Sequence, residues 1–218
     1  KLPVLFCIDR SGIVGPDGPT HHGMFDLSYL KTIPNIVISA PKDGNELKDL
    51  IYTGINFNDG PFAIRYPKSS SINFDESISA KKIKIGNWET IRKGKDIAIL
   101  AVGSMVDEAN KALINNIDDS LNPELINARY VKPIDKKKLN EISNNFSSIL
   151  TIEEGSLEGG FGSSILANLS DLQYKGKFYQ LGIPDVFIEH GERNKLLEKF
   201  NLSSSKIIAK LKQISKLN

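Results

Sequence analysis

A single cysteine stands in the 218 residues, so no intrachain disulfide can form and a stapled secreted scaffold is excluded. A reducing compartment is the expectation, and bacterial cytoplasm and plastid both fit it. No apolar run approaches the roughly 18 residues that a membrane span needs, and no secretory or transit segment is visible. An excess of one charge is lacking too. Lys and Arg number 28 against 26 Asp and Glu, a formal net charge of +2, which recommends neither nucleic acid nor a membrane as partner. Internal repeats are also absent. The lone Cys7 lies in the apolar run Leu5-Phe6-Cys7-Ile8 and is expected to be a small buried hydrophobe rather than a reactive thiol.

What is present is an ordinary globular composition, 40% hydrophobic and 25% charged, in a chain comfortable for two domains. The chain opens on Lys1 rather than Met, and Pro3 leads straight into a strand. Both features suggest the interior of a longer protein.

Strand-like and helix-like segments alternate, which implies βαβ units and a largely parallel sheet, an α/β fold. Short runs at 5–8, 36–39 and 62–66 read as strands, and 25–30 as a short helix. Asp43-Gly-Asn-Glu46 has the capping pattern of a helix start; Leu47, Leu50, Ile51 and Ile55 then recur at helical spacing. Residues 68–84, KSSSINFDESISAKKIK, lack any period and read as an interdomain linker. Beyond it come strands at 97–102, 125–130, 148–153 and 178–181. Helices are expected from Ser104, near 136–142, near 163–169, near 193–200 and over 204–217, the last burying Ile207, Leu211 and Ile214.

The chemistry concentrates in residues 9–26, DRSGIVGPDGPTHHGMFD, directly after the first strand. Ligand sites in open α/β sheets lie beyond the carboxyl ends of strands. Gly12, Gly15, Gly18 and Gly23 let the backbone approach a ligand. Asp17 and His21 sit four apart. A histidine exchanges protons near neutrality, and a neighbouring carboxylate orients it. The alternative is a loop tied together by its own Asp and His hydrogen bonds. Adjacent His21 and His22 lack the third spaced ligand that a metal site needs, so no metal ligand is assigned.

Arg10 offers a planar fork for phosphate or carboxylate, or a partner for Asp17. Arg65 and Lys68 form a second basic cluster at the end of the strand 62–66; in a parallel sheet that end shares a rim with Arg10. The segment Glu153 to Gly162 fits neither the P-loop nor the dinucleotide fingerprint. It reads as a strand-to-helix turn, whose helix N-terminus is also able to hold an anion.

DRSGIVGPDGPTHHGMFDLSYL, IPNIVISAPKDGNEL, YTGI, GPFAIRYPK, ARYVKPID, TIEEGSLEGGFGSSI and LGIPDVFIEHG together resemble the 1-deoxy-D-xylulose-5-phosphate synthases. These form a thiamine-diphosphate-dependent family of the transketolase superfamily. The resemblance implies that residues 1–84 are the latter part of a parallel-sheet pyrimidine-binding domain plus a linker. Residues 85–218 would be a transketolase C-terminal-type α/β domain. It implies condensation of pyruvate with glyceraldehyde 3-phosphate and loss of carbon dioxide, serving isoprenoid, thiamine and pyridoxal synthesis.

Carried onto this chain, His21 and Asp17 are the catalytic pair, and Arg10, Lys68 and Arg65 bind the substrate phosphate. Lys68 stands where the family shows an arginine. The Gly-Asp-Gly and spaced Asn that hold Mg2+ and the diphosphate are not in these residues; they are expected upstream of Lys1, with the groups that contact the aminopyrimidine. A homodimer, together with the N-terminal portion of the same enzyme, is the implied assembly, and the chain alone is expected to be inactive. The rival readings are a fragment of a transketolase or of a 2-oxo-acid dehydrogenase β subunit, and a non-catalytic dimerisation module.

Overall fold

The computed structural model describes residues 1–70, 73–115 and 121–217. Its strands are β1 (Leu5–Ile8), β2 (Val37–Ser39), β3 (Phe62–Arg65), β4 (Glu89–Arg92), β5 (Ala98–Ala101), β6 (Glu124–Asn127), β7 (Tyr130–Lys132), β8 (Ser148–Ser156) and β9 (Lys177–Ile183). Its helices are α1 (Asp26–Leu30), α2 (Gly44–Ile55), α3 (Met105–Asn115), α4 (Lys136–Asn145), α5 (Phe161–Asp171), α6 (Arg193–Lys199) and α7 (Ser204–Ser215). They form two sheets, in the orders β1-β3-β2-β7 and β4-β6-β5-β8-β9. All pairings are parallel except β2 with β7 and β4 with β6.

The capping chemistry read from the sequence operates. The Asp43 carboxylate accepts from the Glu46 amide at 2.8 Å, and the Glu46 carboxylate accepts in return from the Lys42 amide at 2.7 Å, satisfying donors that open the helix. Asp135 does the same for α4 through the Lys138 amide at 2.9 Å. In α2, Leu50 is buried and Leu47 and Ile51 are partly covered, but Ile55 is exposed. In that last turn it is Gly54 that lies against the sheet, beside Leu5 and Phe62, and Ile55 makes no such contact.

Three further expectations are corrected. Cys7 is exposed, as is Phe6 beside it, and only the ends of β1, Leu5 and Ile8, are partly covered. The cause is topological: β1 is an edge strand, and an edge leaves part of an apolar run uncovered. The single strand expected over 125–130 is two strands in different sheets. The Ala128 amide still bonds to the Ala101 carbonyl in the second sheet, whereas the Arg129 carbonyl accepts from Ala40 of the first. Arg129 turns the chain there, and its guanidinium reaches Glu46 at 3.0 Å. Finally, β4 went unforeseen; Glu89-Thr-Ile-Arg92 is short, charged at both ends and only half covered.

One apolar cluster runs through both sheets, joining Ile38, Leu50, Phe62 and Ile64 to Leu100, Tyr130, Ile149 and Phe161. At its centre the Trp88 indole donates to the Tyr130 carbonyl at 2.9 Å and meets Phe161 edge-to-face at 5.9 Å. A second cluster lies under α3, α6 and α7 and includes Ile207, Leu211 and Ile214. Burial of this kind is the main stabilising term, and here it also fixes the two sheets relative to each other. Residues 73–84 carry no helix or strand, yet they are not loose: the Lys81 and Ile83 amides donate to Asp49 and Thr53 of α2, each at 2.9 Å.

Candidate active site

The parallel register of β1, β3 and β2 brings three carboxyl ends to one rim. Asp9 and Arg10 leave β1 there, Tyr66 to Lys68 leave β3, and Pro41 and Lys42 leave β2. The corresponding rim of the second sheet faces it, and between them lies a cleft of about 590 Å³ lined by Asp9, Lys42, Lys68, Ser104, Lys111 and Arg193 among others.

Residues 12–23 close on themselves as a compact loop, because Gly12 and Gly23 exchange backbone hydrogen bonds of 2.8 and 2.9 Å. Gly23 is required by contact: a Cβ there would lie 2.3 Å from the Arg10 carbonyl oxygen. Arg10 itself adopts φ 56, a left-handed conformation that a non-glycine residue holds only when its surroundings enforce it.

The side chains expected to act together do converge. Lys68 Nζ lies 2.6 Å and Arg10 Nε 3.7 Å from the same Asp17 oxygen. The Lys68 ammonium, hydrogen-bonded to Asp17, holds that carboxyl below its ordinary value, and the charges of His21 and Arg10 add to the effect. His21 is exposed, and its Nδ1 lies 3.0 Å from the Thr20 hydroxyl. Arg10 also donates to Asp9 at 3.2 Å, yet its buried Nε makes no hydrogen bond. A buried donor without a partner is costly and is seldom left so away from a site.

Arg65 is not brought to this group. Its Nε donates to Asp26 at 2.6 Å, and its Nη2 donates to the Gly23 and Glu154 carbonyls at 3.0 and 3.2 Å. Arg65 and Asp26 are both buried. Strand β3 is covered on both faces, so the side chain turns inward under the loop. The expected phosphate contact from Arg65 is replaced by a buried ion pair.

His22 is likewise structural. Its Nδ1 accepts from the Val14 amide at 3.0 Å, which leaves the Nε2 proton facing the Glu189 carbonyl at 3.2 Å. Both ring nitrogens are used. The start of α5 is also occupied, because the buried Glu153 carboxylate accepts from the Phe161 and Gly162 amides at 2.8 and 2.7 Å. Burial pushes that carboxyl up, against the pull of the two amides and of Lys31 and Arg65. The helix end expected to be able to hold an exogenous anion is taken by a carboxyl group of its own chain.

Sequence reasoning missed Glu154 and Arg193. Glu154 accepts from the Ile13 amide at 2.7 Å and from the Ser104 hydroxyl at 2.7 Å, and it pairs with Arg193 at 2.8 Å. The available signal was two adjacent carboxylates in an apolar parallel strand, where charge is rare unless paired.

Comparison with known proteins agrees with the two-sheet α/β fold. The family model of the transketolase pyrimidine binding domain matches residues 1–72, and that of the transketolase C-terminal domain matches residues 86–207. A 1-deoxy-D-xylulose-5-phosphate synthase of Geobacillus sp. (strain WCH70) is 42% identical over 98% of this chain and 34% of its own length. That of Aquifex aeolicus (strain VF5) is 46% identical over 89% of this chain and 31% of its own. The chain thus spans about a third of the length of the curated relatives it matches. Among solved structures, a split gene transketolase described as an inactive beta4 tetramer superposes with a TM-score of 0.83 at 26% identity, covering 98% of this chain and 67% of that one. Taken with the two domains and the rim they share, these likenesses show that the chain belongs to the transketolase family, on the branch of the 1-deoxy-D-xylulose-5-phosphate synthases.

Proposed function

We propose that this chain supplies the substrate-phosphate and proton-transfer part of a thiamine-diphosphate-dependent transferase that joins pyruvate to glyceraldehyde 3-phosphate with loss of carbon dioxide. The observation that carries this reading is Asp17 held between Lys68 and Arg10, whose buried Nε faces Asp17 without a hydrogen bond. Two cations on one rim suit a phosphate dianion, for which Arg10 provides a fork and Lys68 a point charge. Asp17 sets the spacing of the cations and accepts a substrate hydroxyl. His21, exposed beside it, exchanges a proton with the aldehyde oxygen as the carbon–carbon bond forms.

The donor set is two cations, one carboxylate and one imidazole. Among the described residues no group of three or more His, Cys, Asp or Glu side chains is placed to hold a metal ion. These residues therefore suit the phosphorylated aldehyde and the reacting face of the coenzyme, where Asp17 and His21 would stand. They do not suit its magnesium–diphosphate end, whose ligands we assign upstream. When bound, thiamine diphosphate supplies the electron sink for decarboxylation; the protein contributes orientation, charge and proton movement.

We retain the division into residues 1–84 and 85–218, and a homodimer as the assembly. Exposed Phe25, Tyr29 and Phe187 support the latter, Phe25 and Phe187 meeting edge-to-face at 6.0 Å. No helix among the described residues is long and apolar enough to cross a membrane; bacterial cytoplasm or plastid is the compartment we propose.

The test is formation of 1-deoxyxylulose 5-phosphate from the two substrates with thiamine diphosphate and Mg2+. The chain is assayed alone and together with the upstream two thirds of a relative. Product only in the combined sample, lost with His21→Asn, supports the reading. Robust turnover by the chain alone, or combined activity indifferent to His21→Asn, contradicts it.

A further inference from the structure

The loop that carries Arg10, Asp17 and His21 is glycine-rich, and glycine gives it freedom that substrate binding would have to remove. Something must therefore hold it before substrate arrives. Its neck is closed by Gly12 and Gly23 and the Val14 amide bonds within it to His22, but Ile13 and Gly15 make polar contacts with the other domain.

Both backbone groups of Ile13 are taken by one ion pair: the amide donates to Glu154 at 2.7 Å, and the carbonyl accepts from Arg193 Nε at 3.1 Å. The pair is closed by Arg193 Nη2 on Glu154 at 2.8 Å and braced by the Ser104 hydroxyl on the same carboxylate oxygen at 2.7 Å. Gly12 fits only because it lacks a side chain; a Cβ would lie 2.5 Å from the Glu154 carboxyl carbon. Two residues beyond Ile13, the Gly15 carbonyl accepts from the Gly191 amide at 3.2 Å. Glu154 is buried while Arg193 is partly covered, so the link is charge-assisted and shielded from water on one side.

We infer that Glu154 and Arg193 are positioning residues, a clamp by which the C-terminal domain sets the loop that presents Arg10, Asp17 and His21 to substrate. The inference rests on the substrate reading given above. It assigns residues 85–218 a part in the chemistry beyond assembly, exerted through the Ile13 peptide rather than by touching substrate.

The test is nuclear magnetic resonance of the chain with Arg193→Met, Arg193→Lys and Glu154→Gln. Three readouts are followed: exchange of the Ile13 and Val14 amides, side-chain shifts of Asp17 and His21, and affinity for glyceraldehyde 3-phosphate. The amides of Ile149 and Leu150 in β8 report whether the second sheet is intact. With that sheet intact, Arg193→Met exposes the Ile13 and Val14 amides, moves the Asp17 and His21 signals and weakens triose phosphate binding by roughly tenfold, the scale of one charge-assisted hydrogen bond. Arg193→Lys, which restores a cation against Glu154, recovers most of the protection. If Arg193→Met melts β8, Glu154→Gln, which keeps an acceptor for the Ile13 amide, carries the same comparison.

Unchanged exchange, shifts and affinity in an intact variant overturn the inference. Loss of loop protection in a chain whose wild type binds no triose phosphate supports the clamp while removing the substrate reading, so the two failures are told apart.

Discussion

Lys68 Nζ lies 2.6 Å from the Asp17 carboxylate, joining the exit of β3 to a loop 51 residues earlier in the chain. The contact brings the two basic rim residues to a single anion and defines where an incoming phosphate must compete. With Lys68 as its main partner, Asp17 has a depressed folded-state pKa. The pairing is therefore complete above the ordinary carboxylate value and is lost as pH falls through the depressed one. Lys68→Met should raise the Asp17 pKa toward the ordinary carboxylate range, read by carboxyl carbon shifts against pH.

Replacing the point charge with a fork should act in the other direction on substrate. Lys68→Arg keeps a cation beside Asp17 and adds bidentate geometry toward phosphate. Affinity for glyceraldehyde 3-phosphate, measured by calorimetric titration, is expected to rise several-fold, roughly the advantage of a second charge-assisted hydrogen bond.

Arg65 answers to a different measurement. Its ion pair with Asp26 is buried on both sides, so Arg65→Met strands a carboxylate and should cost about 3–5 kcal/mol in urea unfolding. The double variant Arg65→Met with Asp26→Leu removes both charges and should recover much of that loss. Equal destabilisation by the single and double variants would show that the pair is not the source.

Gly23→Ala probes the geometry of Arg10. The added methyl group meets the Arg10 carbonyl, a backbone atom that cannot swing aside as a side chain would. A loss of about 1–3 kcal/mol is expected from such overpacking, together with weakened triose phosphate binding. Stability lost with binding intact would separate the loop neck from the site.

Much of this arrangement was legible because it depends on local signals. Asp43 and Glu46 announce the start of α2 by spacing alone, and parallel βαβ order by itself places Arg10 and Lys68 on one rim. Arg65 was misjudged because sequence shows a cation at a strand end but not which face of the strand it leaves by; Asp26, its partner, is 39 residues away. Cys7 was misjudged because LFCI reads the same in a central strand as at an edge. The break between β6 and β7 was missed because Asn127 and Arg129, which interrupt the apolar run Leu125 to Val131, do not by themselves tell one strand from two; Arg129 pairs there with Glu46, 83 residues earlier. Glu154 and Arg193 escaped notice for the same reason, being joined only by tertiary contact across 39 residues.

The most direct measurement is a titration of the isotopically labelled chain with glyceraldehyde 3-phosphate, following side-chain resonances of Arg10, Asp17, His21 and Lys68 together. The account predicts that all four shift along one saturable curve and that Arg10→Met combined with Lys68→Met abolishes it. Shifts confined to other parts of the molecule, or a curve untouched by the double substitution, would contradict it.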